Sequence, residues 1–225
     1  MLVYQAIKSE FMADVEGGVI VDNICDAFIR RVQHPGASEV RSWQNSMQFM
    51  YAALNTERIP DDCGIAIEFG VPYTSSRIDF LITGRDDDAS ESAVIVELKQ
   101  WDKVATVPGK DAMVRTFLGG RERETVHPSY QAWSYARMIE DYNEAVRDAQ
   151  VSLLPCAYLH NYSLSGPGDP ILDPMYDDYV TKAPVFTRTD LERLRDFICR
   201  RIKVGDDGSV MFTICLLYTS PSPRD

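Results

Sequence analysis

The part of the sequence that most constrains the fold is residues 93–101, which read A-V-I-V-E-L-K-Q-W. A short run of small and β-branched apolar residues predicts a buried β-strand. Because strand side chains alternate between two faces, Glu97 and Lys99 share one face at the end of this strand. Charged groups on a buried strand are costly unless they pair or bind a ligand. The strand is therefore expected to carry an internal ion pair or a functional site.

A second strand with one acidic residue precedes it. Residues 77–83 read R-I-D-F-L-I-T, and residues 64–73 contain a further strand, I-A-I-E-F-G-V-P-Y. Three strands so close in sequence predict an antiparallel meander. Two neighbouring strands then each bring a carboxylate, Asp79 and Glu97, towards Lys99.

Helical periodicity surrounds this meander, so the sequence predicts an α/β fold with elements in the order helix, three strands, helix, strand. Residues 1–33 are predicted to be helical with a break at Gly17 and Gly18, and Ser38 is predicted to cap a helix that ends near Asn55. The segment after Trp101 predicts a substrate-facing loop or a small insertion. The later elements are predicted as a helix over residues 129–147, a strand over residues 153–158 and a helix that begins with a capping box of Thr189 and Glu192.

Composition limits the function further. The 225 residues, 45% of them hydrophobic, suffice for one sizeable domain, and no apolar run approaches the roughly 18 residues of a membrane helix. The five cysteines form no C-x-x-C pair, which argues against a zinc site or a disulfide framework and favours a cytoplasmic location. No phosphate-loop, calcium-loop or serine or cysteine nucleophile motif is evident.

The charge is unevenly distributed. The net charge of −11 argues against a protein that coats DNA by bulk charge. Residues 99–137 nevertheless carry +3, which leaves −14 for the rest of the chain. This basic segment is either an approach for an anionic substrate or a solvated loop.

The last eleven residues, 215–225, read C-L-L-Y-T-S-P-S-P-R-D and match one translated frame of a transposon-based sequencing adapter. We interpret them as an artefact and exclude them from the fold prediction. The predicted domain then covers residues 1–214, with N-terminal helices over 1–55, a core over 56–160 and a C-terminal helical extension over 161–214. The natural chain is expected to continue beyond this point.

The residue types around Asp79 indicate a particular chemistry. Hard divalent cations such as Mg²⁺ or Mn²⁺ prefer carboxylate oxygens and retain several waters. A phosphodiester resists hydrolysis because its negative charge repels nucleophiles, and a cation offsets that charge and acidifies a water. Asp79, Glu97 and Lys99 are thus the minimum set for metal-assisted phosphodiester cleavage, with the lysine orienting the water or stabilising charge.

These residues resemble the signature of the PD-(D/E)XK nuclease superfamily, with Asp79 followed by E-L-K, and with Gln131 and Tyr135 resembling the Q-x-x-x-Y element of its RecB-like branch. Ile78 stands where the family name has proline. The resemblance implies a restriction-endonuclease-like αβββαβ core with a central mixed four-stranded sheet. It also implies a role for each residue. Asp79, Glu97 and the Leu98 carbonyl would bind the metal, and Asp79, Glu97 and Lys99 would be catalytic. Gln131 and Tyr135 would support the site or contact nucleic acid, and Glu39 is a further metal-site candidate.

A closer resemblance covers nearly the whole chain. Phrases including R-I-D-F-L-I-T-G, V-I-V-E-L-K-Q-W and E-T-V-H-P-S-Y-Q-A-W-S-Y-A are similar to the N-terminal region of bacterial Schlafen-group-3-like DNA/RNA helicases. In that family a helicase ATPase domain follows. The resemblance implies a Mg²⁺-dependent nuclease acting on DNA, with RNA as the alternative, at the front of a nuclease–helicase in DNA repair or phage defence. The rival interpretation is a catalytically inactive nucleic-acid-binding or assembly module.

Each candidate residue also has a purely structural interpretation. Glu97 and Lys99, or Asp79 and Lys99, could form a core ion pair. Glu39 could be favoured in the first turn of its helix by the helix dipole. Gln131 and Tyr135 could be a polar helix face, and His127 could serve only to start the helix that follows it.

Overall fold

The computed structural model describes residues 2–71 and 74–215. The strands in this part of the chain are β1 (Leu2–Ile7), β2 (Gly64–Gly70), β3 (Arg77–Arg85), β4 (Glu91–Lys99), β5 (Val104–Thr106), β6 (Met113–Leu118), β7 (Arg121–Val126), β8 (Ser152–Leu159) and β9 (Val185–Thr187). The helices are α1 (Lys8–Glu16), α2 (Ile20–Arg31), α3 (Ala37–Leu54), α4 (Pro128–Tyr142), α5 (Glu144–Asp148), α6 (Asp177–Lys182), α7 (Leu191–Cys199) and α8 (Ser209–Cys215).

The main sheet is mixed and has the strand order β1-β2-β3-β4-β8-β9. Strands β1 to β4 are antiparallel neighbours, which confirms the predicted meander of β2, β3 and β4. Strand β8 pairs with β4 in parallel, because α4 carries the chain back to the start of the sheet. The protein is therefore an α/β protein in which α3, three strands, α4 and β8 follow in the predicted order.

Helices cover both faces of this sheet. The α3-side core joins α1, α2, α3 and α7 to the sheet, and its members include Phe28, Met47 and Val94. The α4-side core joins α4 and α8 to the opposite face, through residues such as Ile95 and Ile139. Both faces of β4 are thus buried, as its continuous apolar run predicts. Truncating a core residue such as Ile95 to alanine would cost about 2–5 kcal/mol.

The N-terminal prediction was wrong in part. Leu2–Ile7 forms β1 rather than a helix, and it pairs with β2, which would otherwise expose an unpaired edge. The predicted break between two short helices is confirmed, with Gly18 at φ +70. Helix α3 begins at Ala37 rather than after a Ser38 cap, and the Glu39 carboxylate satisfies the Gly36 amide at 2.8 Å.

The sheet is also larger than the four strands predicted. Strands β1 and β9 extend it to six, and β9 lies in the region predicted to be a helical extension. Helix α7 starts after Asp190 instead of Thr189, and the Asp190 carboxylate accepts a hydrogen bond from the Thr187 amide at 2.9 Å. The predicted helix over residues 129–147 is broken at Asn143, whose side chain starts α5 and donates to the Ile214 carbonyl at 2.8 Å.

The polar segment after Trp101 is an insertion with its own antiparallel sheet, β5-β6-β7. Its β6–β7 hairpin closes through Gly119 and Gly120, whose φ values of 58 and 82 suit a two-residue turn that only glycine adopts readily. A third core, which includes Trp101, Val114 and Tyr176, fixes the insertion to the end of β8. The insertion is therefore a rigid element held beside the end of β4.

Of the predicted adapter residues, Cys215 ends α8 and residues 216–225 lie outside the described part of the chain. Among the described residues, no helix is long and apolar enough to cross a membrane.

Candidate active site

The alternation of side chains is interrupted where β2 and β3 pass the end of β4. Glu68 and Asp79 lie opposite each other, between the pairs Ile67–Phe80 and Phe69–Ile78. Glu68 has φ +55, in the left-handed region that non-glycine residues rarely adopt. Such a conformation costs on the order of 1–3 kcal/mol and is concentrated at functional sites. The strands are thus distorted at the position of the predicted catalytic aspartate.

Both strands show the effect of this distortion in their packing. Ala66 and Phe69 are three residues apart, yet both lie in the α4-side core, and the same holds for Ile78 and Leu81. An undistorted strand would place residues three apart on opposite faces. Because of this distortion, Asp79 does not follow the regular alternation of side chains between the two faces of the sheet.

The structure brings Asp79, Glu97 and Lys99 together where β3 begins and β4 ends. The Leu98 amide donates a hydrogen bond to Asp79 Oδ2 at 2.8 Å. Lys99 Nζ lies 2.5 Å from Glu97 Oε1, in an ion pair whose carboxylate is 1% exposed. The three predicted catalytic residues therefore form one cluster, as the alternation of β4 and the meander predicted.

The two residues predicted on the following helix also reach this cluster. Lys99 Nζ donates to Gln131 Oε1 at 3.2 Å, and Gln131 Nε2 donates to the Tyr135 hydroxyl at 2.8 Å. Because an amide has one acceptor end and one donor end, the Tyr135 contact turns the acceptor of Gln131 towards Lys99. The chain of contacts holds the ammonium group in place.

Burial shifts the protonation of the cluster. It raises the pKa of Asp79, and the Glu97 carboxylate adds to that rise, while Lys99 and the Leu98 amide oppose it. Burial also raises the pKa of Glu97, against the opposing effect of Lys99. Burial acts to lower the pKa of Lys99, but the carboxylates of Glu97 and Asp79 outweigh it, so that this pKa is raised. Lys99 is therefore a cation, and the carboxyl pair favours a bound proton or another positive charge.

The donor set fits a hard divalent cation. Glu97 Oε2 is buried without an N–H donor, and its polar neighbour is the Asp79 carboxyl, so the two carboxyl groups need a shared proton or a cation between them. Since the N–H and C=O of a strand residue face the same neighbouring strand, the Leu98 carbonyl lies on the Asp79 side of β4. No group of three or more His, Cys, Asp or Glu residues in the described part of the chain is arranged to hold a metal ion. Two carboxylates, a carbonyl and waters match the ligands that Mg²⁺ takes.

The lower-ranked candidate, Glu39, lies in a separate network. Arg77 Nη2 donates to Glu39 Oε1 at 2.9 Å, and the Gly36 amide donates to its other oxygen. Arg77 Nε also lies 2.5 Å from Glu68 Oε2, and the Trp43 indole donates to Glu68 Oε1 at 2.8 Å. Both oxygens of Glu39 are thus engaged, which agrees with its structural interpretation in the first turn of α3.

Glu68 and Arg77 were missed by the sequence prediction. Burial raises the pKa of Glu68, with the nearby Asp79 adding to the rise and Trp43 and Arg77 opposing it. The available signal was the single charged residue in the apolar run of β2. That signal does not reveal the left-handed backbone that accompanies the contact of Glu68 with α3.

His127 has the role of a helix-start residue. Its Nδ1 accepts the Ser129 amide at 3.1 Å, and its Nε2 lies 3.1 Å from the Ile171 carbonyl and must carry the proton. Burial lowers the pKa of His127 to about 4, so it is neutral near pH 7. Ser46 and His160 also form a hydrogen bond, at 3.1 Å, and both side chains are buried.

The cluster opens into a groove of about 410 Å³ that we call the site groove. Its lining includes Ser38 and Ser42 of α3, Asp79, Lys99, and Phe117 with Gly119 of the β6–β7 hairpin. A larger cavity of about 620 Å³ lies elsewhere, beside Lys8. Lys8 is fully satisfied there by the Thr56 and Ile59 carbonyls and by Asp61. The site groove is therefore the better candidate for chemistry.

Comparison with known proteins adds no assignment. No family model matches the chain, and no match was found among the curated proteins or the solved structures. The functional interpretation therefore depends on the residues and their geometry.

Proposed function

We propose that this protein is a metal-dependent nuclease domain that hydrolyses phosphodiester bonds of DNA, with RNA as the alternative substrate. The observation that carries the proposal is the cluster of Asp79, Glu97 and Lys99, in which two buried carboxyl groups face each other and favour a bound proton or cation. The order of α3, three strands, α4 and β8 supports the restriction-endonuclease-like core that the sequence resemblance implies. The proposed link to a following helicase rests on that resemblance.

The residues of this chain would have separate roles in the reaction. Asp79, Glu97 and the Leu98 carbonyl would hold Mg²⁺ or Mn²⁺. When bound, the ion would neutralise phosphate charge and lower the pKa of a water molecule. Lys99 is a cation at neutral pH, so it would stabilise developing negative charge on the phosphate oxygens rather than remove a proton. Gln131, oriented by Tyr135, would hold the ammonium group in position.

The test is a cleavage assay of the purified protein on single- and double-stranded DNA and RNA, with Mg²⁺, Mn²⁺ or a chelator. We expect cleavage in the presence of the cation and none with the chelator. The Lys99→Ala variant should cleave about 100-fold more slowly or worse, whereas Lys203→Ala, which alters a surface lysine paired with Asp87, should match the wild type.

Cleavage that persists with the chelator, or that proceeds at the wild-type rate in Lys99→Ala, would contradict the proposal. Binding of nucleic acid without any metal-dependent cleavage would favour the rival function, an inactive binding module on the same fold.

A further inference from the structure

The β6–β7 hairpin presents an aromatic ring to solvent inside the site groove. Phe117 is 57% exposed, the largest exposed fraction among the large apolar side chains in the described residues. It lies next to the turn that Gly119 and Gly120 close, and both Phe117 and Lys99 line the site groove. The protein thus keeps an uncovered ring beside the cluster proposed to act on phosphodiesters.

The third core explains why the ring stays exposed. Val114 and Thr116 of β6 are buried towards the third core, and the alternation of the strand turns Arg115 and Phe117 the other way. The two-glycine turn fixes the register of the hairpin, so Phe117 cannot rotate inward without dismantling the β6–β7 pairing. The exposure is therefore a property of the hairpin itself.

Charged side chains line the two cavities that the ring borders. Phe117 lines both the site groove, which contains Lys99, and a second cavity of about 500 Å³ whose charged lining residues are Lys103, Arg115, Asp102 and Glu122. Residues 99–137 carry +3 in a chain of net charge −11, so the segment that carries the ring is basic. An exposed aromatic ring on a basic segment suits a ligand with flat faces and a negatively charged backbone, which describes a nucleic acid.

We propose that Phe117 stacks on an unpaired nucleobase, and that the substrate therefore presents single-stranded nucleotides to the groove. Bases in a duplex already stack on their neighbours, and exposing a base face there costs unstacking and unpairing. An unpaired base has a free face for the ring, while its phosphates follow the cations along the groove. This inference extends the proposed function by naming the class of substrate.

The test is fluorescence anisotropy with a labelled single-stranded oligonucleotide and a blunt duplex of the same sequence, in a chelator that stops cleavage. Phe117→Ala should weaken single-strand binding by between about 5-fold and about 150-fold, as expected for one lost base–aromatic stack. Binding of the duplex should stay unchanged. Phe117→Trp should retain single-strand binding, because it keeps an aromatic face.

Phe212→Ala is the matched control, since Phe212 is a similarly exposed phenylalanine on α8. Unchanged single-strand binding by Phe117→Ala would overturn the inference, as would equal losses for single strand and duplex or an equal loss in Phe212→Ala. Absence of nucleic-acid binding by the wild type would also overturn it and would leave a protein partner as the occupant.

The outcomes separate this inference from the proposed function. Phe117-dependent binding of single strands by a wild type that cleaves nothing would support the inference and contradict the nuclease. Metal-dependent cleavage by a wild type whose single-strand binding does not require Phe117 would do the reverse.

Discussion

Two clusters of acidic and basic side chains lie at the same end of the sheet, and they differ in how completely they are satisfied. In the α3-side network, both oxygens of Glu68 and both oxygens of Glu39 accept hydrogen bonds, with Arg77 between them. In the cluster of Asp79, Glu97 and Lys99, Lys99 pairs with one oxygen of Glu97, and the other is buried with the Asp79 carboxyl beside it and no N–H donor.

The difference separates a structural role from a ligand-binding role. A buried carboxylate oxygen without a donor costs free energy in the folded protein, and a bound cation would recover it. A carboxylate with both oxygens engaged gains little from a cation. The comparison therefore supports the proposed metal binding by Asp79 and Glu97, and it gives Glu68, Arg77 and Glu39 the role of supporting the distorted backbone beside them.

The largest expected effect is on catalysis and comes from Lys99→Ala. Loss of the ammonium group should lower the cleavage rate by about 100-fold or more, the effect of removing one group that stabilises transition-state charge. The fold should persist, because Glu97 can take up a proton when its partner is removed. Single-turnover cleavage measures the rate and circular dichroism checks the fold. A folded Lys99→Ala protein with full activity would end the catalytic assignment.

The second prediction concerns the α3-side network, where a substitution should affect stability rather than catalysis. Arg77→Met should lower the free energy of unfolding by about 2 kcal/mol, between the costs of breaking an exposed and a buried ion pair, since Arg77 is 26% exposed. Urea denaturation measures this change. The control is Arg137→Met, whose side chain pairs with Glu140 and Asp141 at the surface and should change stability by less than about 0.5 kcal/mol.

A double variant sharpens the same test. Glu68→Gln removes the charge that Arg77→Met leaves without a partner, so the double variant should lose less stability than the two single losses combined. Additive losses would show that Arg77 and Glu68 do not act as a pair.

The sequence predicted the cluster of Asp79, Glu97 and Lys99 but not the α3-side network, for a physical reason. Asp79, Glu97 and Lys99 lie in two strands that are adjacent in sequence, so the alternation of side chains and a meander suffice to bring them together. The contact of Arg77 with Glu39 spans 38 residues, and that with Glu68 accompanies a left-handed backbone at Glu68 itself, within a strand. Neither feature follows from periodicity.

The fold prediction shows the same contrast between features that local sequence specifies and features that it does not. The long apolar runs of β2, β3, β4 and β8 predicted the central strands correctly. The three residues of β9 are too few to show a period, and β1 runs directly into α1, so its alternation merges with the helical pattern. Edge strands depend on the partner that they pair with, which local sequence does not specify.

The third prediction concerns pH. In the cation-free protein the pKa of Asp79 is raised, so the folded state retains a proton that the unfolded chain releases above about pH 4. The stability contributed by this proton is fully present below the unfolded pKa and is lost as pH rises through the folded pKa. Asp79→Asn should therefore be more stable than the wild type at about pH 8, by on the order of 1 kcal/mol, and similar at about pH 4.

Denaturation with a chelator and with Mg²⁺ checks this prediction. Mg²⁺ should raise the stability of the wild type, because it binds the folded state, and should have little effect on Asp79→Asn. The control is Asp87→Asn, a surface aspartate paired with Lys203. Equal stabilisation of wild type and Asp79→Asn by Mg²⁺ would contradict the metal site.

The smallest expected effect comes from the residues that hold Lys99 in place. It tests whether the cluster of Asp79, Glu97 and Lys99 depends on neighbouring contacts as the α3-side network does. Tyr135→Phe removes the hydroxyl that accepts from Gln131 Nε2, so the Gln131 amide is no longer held with its oxygen towards Lys99. Stability should fall by about 1 kcal/mol or less, the net value of one hydrogen bond, and cleavage should slow by about 10-fold or less. Tyr51→Phe is the control, since it removes a similar hydroxyl contact with Glu16 far from the groove.

Gln131→Leu should slow cleavage as much as the double variant with Tyr135→Phe, because the hydroxyl acts through the amide. Additive effects on the rate would show instead that Tyr135 contacts the substrate independently of Lys99.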